Sequence, residues 1–282
     1  MTPQEEYTPV TSYAEAELTY NDYLKVPQLL QLQQLLSQPP HHDEMLFIVI
    51  HQTYELWFKL IVHELEKAIQ LMQQQHVLRA HHFVQRVVEI MRLLVNQIHI
   101  LETMTAADFL CFRDRLKPAS GFQSLQFREI EFLAGLKDRR YLQTFADRPE
   151  MHALLERRYQ EPDLRTAFYE MLRGMGFDVP AEVSLADLEK DENARTQLLA
   201  ALKQIYQKPI EEMQLYLLSE ALVDFDQYLS LWRVHHVHVV ERIIGNKPGT
   251  GGSSGAGYLR TTLDKRCFPY LWQVRTHLEK GE

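Results

Sequence analysis

The sequence predicts an all-α protein, a helical bundle with a smaller helical insertion, and three observations carry that prediction. Apolar residues recur in steps of three and four over long windows from residue 43 onward, the period of a helix with one buried face. Only 11 glycines occur in 282 residues, and six of them are gathered in the single stretch GNKPGTGGSSGAGY, which leaves the remaining segments nearly free of helix breakers. No pair of alternating apolar runs joined by a tight turn is present, so nothing reads as a hairpin.

The elements follow in order. An N-terminal segment, residues 1–40, carries LTYNDYLKVPQLL and ends at Pro39 and Pro40. Asp43 is then placed to cap a helix whose core stripe reads Leu46, Ile50, Tyr54, Trp57, Ile61, Leu65, Ala68 and Met72. Phe83, Val87, Ile90, Leu94, Ile98 and Leu101 mark the next helix. Thr105 and Asp108 form a capping box with Asp in place of Glu, opening a short helix that carries Phe109, Phe112, Arg113 and Leu116. Another helix runs from about Ser124 to Leu133 and is stopped at Gly135. Residues from about 149 to 207 are more polar and are broken by Pro149, Pro162, Gly174, Gly176 and Pro180, which predicts short helices set outside the main bundle. Pro209 is expected as the first residue of a long helix reaching Ile244, and a last helix, interrupted by Pro269, is expected over Thr261 to His277.

Composition narrows the function classes. A net charge of −8 argues against a nucleic-acid partner, which would require a basic face. Cys111 and Cys267 are too few for a disulfide scaffold or a cysteine metal site, and reduced thiols in a cytoplasmic protein are the simpler expectation. MTPQEEYTPVTSY lacks the basic start and apolar core of a signal peptide. The longest apolar run, MLFIVI, is far too short for a bilayer, so neither export nor a membrane span is expected.

The chemistry concentrates in WRVHHVHVVERIIGNKPGTGGSSGAGY, where three histidines on an apolar helix run straight into the glycine loop. His236 shares its stripe with Leu229, Trp232, Val239, Val240 and Ile243, so it faces apolar surroundings. His235 has a mixed face, and His238 lies beside Glu241 and Arg242 and is expected to meet water. A neutral imidazole in an apolar slot has a lone pair free for haem iron, whereas a core histidine with satisfied nitrogens is the alternative. The loop lacks the Gly-Lys-Ser/Thr ending of a P-loop, and Ser254 breaks a dinucleotide fingerprint. Its backbone donors and hydroxyls suit closure over a ligand, while a flexible surface linker has the same composition.

Two further groups stand out. His51 shares a stripe with Phe47, Tyr54, Glu55 and Phe58, which fits either an ordinary core residue or the polar handle of an aromatic pocket. Arg113 lies one turn after Phe109 and just before Ser120 and Gly121; an arginine fork beside an aromatic wall suits a ligand that is part hydrophobic and part carboxylate. The commoner fate of an arginine is a surface salt bridge. Tyr20 and Tyr23 stand ahead of the bundle, placed to dock on their own domain or on a neighbour.

Taken together, LTYNDYLKVPQLL, HDEMLFIVIHQTYELWFK, FRDRLKPASGFQSLQFREIEFL and WRVHHVHVVERIIGNKPGTGGSSGAGYL closely resemble tryptophan 2,3-dioxygenases, in the same order along the chain. The resemblance implies one haem-dioxygenase domain over 1–282, with 140–207 as the family's variable helical insertion. It implies a b-type haem (heme b) buried between helices, its iron bound on the proximal side by His236. L-Tryptophan would bind over the other face, with Arg113 on its carboxylate and Thr250 at the amino-acid end. Phe47 and Phe109 would flank the indole, His51 would accept its N–H, and Ser120 and Gly121 would line the oxygen side, making His51 and Ser120 the catalytic candidates. Tyr20, Tyr23 and Leu24 would reach the substrate from a neighbouring subunit of a homotetramer whose N-terminal segments cross over. The implied reaction joins L-tryptophan and O2 to give N-formyl-L-kynurenine, the first step of tryptophan breakdown by the kynurenine pathway. A non-catalytic haem- or ligand-binding helical protein is the alternative. A metal enzyme using His235 and His238 is a further one, although HExxH and paired ExxH motifs are missing.

Overall fold

A computed structural model describes residues 17–181 and 185–279, so residues 1–16 of the N-terminal segment and 182–184 of the 140–207 segment lie outside the described residues. Among the described residues every regular element is a helix. The N-terminal arm holds α1 (Tyr20–Leu24) and α2 (Val26–Leu29), separated by Lys25 in the left-handed region at φ 55°. The arm is fastened to the bundle through Glu44, a fully buried carboxylate that accepts from the backbone N–H of Leu36 at 2.7 Å and of Ser37 at 3.0 Å. Burial pushes its pKa up, but the Ser37 hydroxyl and these two amides outweigh that and hold the group below its usual value.

α3 (His42–Gln73) follows. Its cap is His41 rather than the expected Asp43: the His41 Nδ1 accepts from the Asp43 N–H at 3.3 Å, and Asp43 lies in the first turn, where its charge meets the positive end of the helix dipole. α3 is the one described helix with the length and apolarity of a membrane span. It packs against α4 (Val77–Leu101) and against the later helices Leu125–Leu133 and Leu164–Gly174. Both predicted stripes face inward: Ile61, Leu65, Ala68 and Met72 on α3 are shielded from solvent, as are Val87, Leu94 and Ile98 on α4. Each such aliphatic side chain contributes roughly 1.5–3 kcal/mol when fully buried.

α5 (Ala106–Arg113) is capped by Thr105 as predicted, its hydroxyl accepting from the Asp108 N–H at 3.2 Å, but the return bond of a capping box is replaced: the Asp108 carboxylate accepts from the Thr105 hydroxyl rather than from its backbone N–H. α6 (Leu125–Leu133) begins at the Ser124 cap, and the chain turns away at Gly135, whose φ of +91° suits glycine. A 3₁₀ segment, Arg139–Phe145, and α7 (Pro149–Gln160) build a small second cluster of Phe132, Tyr141, Leu142, Phe145 and Leu155.

Residues 149–207 form short helices as expected, but most of them are not set outside the bundle. After α7 come α8 (Leu164–Gly174), α9 (Leu185–Lys190) and α10 (Glu192–Gln207). Phe168, Tyr169 and Leu172 of α8 and Leu198 and Leu202 of α10 are buried in the main core. The helices are short because glycines and prolines divide them, yet α8, α9 and α10 send their apolar residues into the main core, while Leu155 of α7 goes into the small second cluster.

α11 (Met213–Ile244) begins four residues later than expected. Pro209 lies in a turn in which the Glu212 N–H donates to the Lys208 carbonyl at 2.8 Å. At 32 residues α11 is about 48 Å long, and α4 packs along it more extensively than any other element. The expected helix over Thr261 to His277 is instead a succession of pieces: turns follow α12 (Ala256–Arg260), and Pro269 opens α13 (Pro269–Gln273). The bend between them is imposed by Asp226 of α11. This fully buried carboxylate accepts from the N–H groups of Cys267 at 2.9 Å and Phe268 at 3.1 Å and from the Trp272 indole at 2.9 Å.

Candidate active site

One cavity, about 1400 Å³ of space free of protein atoms including its open mouth, lies between α3, α5, α6 and α11 under the glycine loop. His51, Phe109, Arg113, Ser120, Gly121, Thr250 and His236 all line it. Seven residues from five separate segments of sequence therefore converge on one space.

The two histidines differ in how they are held. On α3 the His51 Nδ1 stands 2.7 Å from the Phe47 carbonyl, which can only accept, so the neutral ring carries its proton on Nδ1 and presents Nε2 as an acceptor. Enclosure by protein lowers the His51 pKa, although the Phe47 hydrogen bond and the Glu55 charge oppose that; the surface the ring leaves open belongs to the cavity. His236 on α11 has no hydrogen bond to either ring nitrogen among the described residues and rests against Trp232, with ring centroids 5.0 Å apart. Burial, with a smaller contribution from His51, depresses its pKa from the ordinary 6.5 to about 4. It is a neutral imidazole with an uncommitted lone pair.

Phe47 does not line the cavity. It stands behind His51, ring centroids 4.1 Å apart, and touches Phe109 at 5.6 Å, so it supports the aromatic wall from outside. Phe109 and Arg113 lie one turn apart on α5, and both are largely buried. Arg113 is no surface ion pair: one guanidinium nitrogen donates to the Pro248 carbonyl of the glycine loop, and its buried Nε has no hydrogen-bond partner among the described residues. Ser120 accepts from the Phe122 N–H at 3.3 Å, which leaves its own hydroxyl proton without an acceptor among the described residues.

The glycine loop is seated on the turn that carries Ser120. The Thr250 hydroxyl donates to the Ala119 carbonyl at 2.6 Å. Gly251 comes so close that a β-carbon there would sit 2.6 Å from that of Ser120. A loop with side chains at this point would stand off from the cavity; glycine lets backbone meet backbone.

Sequence reasoning missed a buried ionic group in the same wall. Glu131 of α6 pairs with Arg128 at 2.5 Å and with Arg233 of α11 at 2.9 Å, and all three side chains are nearly inaccessible. Two cations and one anion leave a surplus positive charge at this part of the cavity, and the Arg128 Nε has no hydrogen-bond partner among the described residues. Three residues before His236, Arg233 reads on the helix as an ordinary charged position, and nothing local in sequence announces its partners, Glu131 of α6 and the Lys265 carbonyl it donates to at 3.2 Å. The arrangement fits a haem: a neutral buried imidazole for iron, and unpartnered arginine donors with surplus positive charge for carboxylates. Tyr20, Tyr23 and Leu24 do not reach the cavity and are 69%, 72% and 44% exposed.

The family model described as tryptophan 2,3-dioxygenase matches residues 4–201 and 193–278. Among curated proteins, the tryptophan 2,3-dioxygenase of Nocardioides sp. is 47% identical over 93% of this chain and 96% of its own length. That of Myxococcus xanthus is 45% identical over 92% and 89%, and that of Herpetosiphon aurantiacus 46% over 93% and 98%. Matches of this extent cover the cavity, the arm and the 140–207 segment alike, and the chain belongs to the tryptophan 2,3-dioxygenase family.

Proposed function

We propose that this protein is a haem-dependent dioxygenase that opens the indole ring of L-tryptophan with O2 to give N-formyl-L-kynurenine. The observation that carries the reading is the pair of unlike histidines in one cavity, one with a free lone pair and one already committed to a tautomer. His236 would hold the haem iron, and Arg128 and Arg233 would offset the charge of its carboxylates. When bound, the haem supplies the iron at which O2 is activated.

The remaining steps belong to the side chains. Arg113 pairs with the substrate carboxylate through the donors that Pro248 leaves uncommitted. Nε2 of His51 accepts the indole N–H and fixes the plane of the ring against Phe109; an imidazole of reference pKa about 6.5 is too weak a base to remove that proton. Ser120 offers its hydroxyl as a donor on the oxygen side, beside Gly121. Thr250 stands at the amino-acid end, and the loop it belongs to closes over bound substrate and keeps water out.

The exposed Tyr20, Tyr23 and Leu24 support an assembly in which the arm completes the site of a neighbouring subunit, as a homotetramer with crossed N-terminal segments. The domain reading, one catalytic unit over 1–282 with 140–207 as its variable part, is retained with that assembly. So is a cytoplasmic location with no membrane or nucleic-acid partner. The test is to reduce the haem-loaded protein, mix it with L-tryptophan in air and follow N-formylkynurenine. Stoichiometric haem with no tryptophan consumed would instead establish a non-catalytic haem protein.

A further inference from the structure

Beside the cavity, and outside its lining, the last turn of α4 meets the middle of α11 at three side chains to which the dioxygenase reading gives no role. His99 and Glu102 come from the end of α4, and His235 comes from α11. One donor atom from each lies within 4.8 Å of the other two. The His99 Nδ1 is 3.0 Å from the Glu102 carboxylate, and the His99 and His235 rings stand nearly perpendicular, 88° apart, with centroids separated by 5.1 Å. Glu102 has no arginine or lysine partner among the described residues, so its charge is met by an imidazole alone.

We propose that His99, Glu102 and His235 form a site for a divalent transition-metal ion of the zinc class, distinct from the haem pocket, that ties α4 to α11. Two imidazole nitrogens and one carboxylate oxygen are a donor set such ions favour, while calcium and magnesium prefer oxygen. Ligands bound at about 2.0–2.2 Å in a tetrahedron are separated by about 3.4 Å, so the 3.0 Å pair is already spaced to share an ion. All three donors lie within 4.8 Å of one another, so binding an ion requires them to draw together. The His99 side chain is 50% exposed, which leaves the ion a water-facing fourth position and a route of entry. His238, the partner that sequence periodicity offered to His235, is exposed and outside this group. The chain neighbours Ile98 and His236 both line the cavity, so an ion here braces the wall that carries the proximal histidine.

This assignment is independent of the reaction: a chain unable to open indole would still bind the ion. The test is equilibrium dialysis of the haem-containing full-length protein against buffered zinc, with bound zinc counted by elemental analysis. One saturable zinc per chain is expected. H99A and E102Q should each weaken it more than roughly tenfold, since even outer partners of metal ligands are worth about 10–100-fold, whereas H82A should leave it unchanged. Zinc should also raise the melting temperature of the parent protein and not that of the two variants. His99 is half-exposed, so H99A removes no core packing, and E102Q keeps the shape of its side chain; both are checked by circular dichroism. No saturable zinc below millimolar concentration, or equal zinc affinity in the parent and both variants, would overturn the site and leave a hydrogen-bonded His–Glu pair.

Discussion

His51 and His236 open onto the same cavity, and the protein prepares them for opposite tasks. His51 has spent its Nδ1 proton on the Phe47 carbonyl, which turns its other nitrogen into a fixed acceptor. His236 has spent nothing and is kept neutral by burial. Side-chain identity therefore does not set the role of a histidine here; the backbone carbonyl within its reach does.

The largest effect that tests this contrast is expected from H236A, which should lose most of its haem and with it all turnover. A pigmented, active H236A would mean that the contrast has been read from the wrong residue. A smaller effect is expected at the other ring. If His51 only orients the indole, H51A forfeits one hydrogen bond of about 0.5–1.5 kcal/mol, which corresponds to roughly a two- to tenfold fall in kcat/KM. A general base would be worth about 10²–10⁴-fold, so a loss of that size, with haem and tryptophan affinity intact, would reassign the residue.

The smallest effect concerns the haem-free protein as a function of pH. Between 6.5 and about 4 the unfolded chain takes up a proton at position 236 that the folded chain refuses. Folding stability should therefore fall as pH is lowered through that window and be indifferent to this group above it. His51, also depressed, pulls in the same direction. Urea unfolding at several pH values should give a shallower slope for H236F than for the parent; equal slopes would show that His236 is not kept neutral by the fold.

Much of the fold was legible because it is periodic. The α3 and α4 stripes, the Thr105 cap and the stop at Gly135 each depend on residues within a few positions of one another. The misreadings are non-local. Nothing near Thr261 announces that Asp226, some forty residues earlier, will claim two backbone amides and an indole and so prevent a continuous helix. Residues 149–207 looked peripheral because polar positions outnumber apolar ones, yet burial follows the one apolar face of a helix rather than its mean composition. At the site, His236 was found by its apolar neighbours on the helix. Arg128, Glu131 and Arg233 escaped because two charges one turn apart look the same in sequence whether they face water or a second helix. Phe47 was placed correctly in the neighbourhood but one layer too far in.

The Asp226 clasp carries a consequence for any shortened version of the chain. Its three donors all come from residues 267–272, so cutting before Cys267 would strand a bare anion in the protein interior on the helix that bears His236. The C-terminal stretch is in that sense a plug, and α11 cannot be isolated from it.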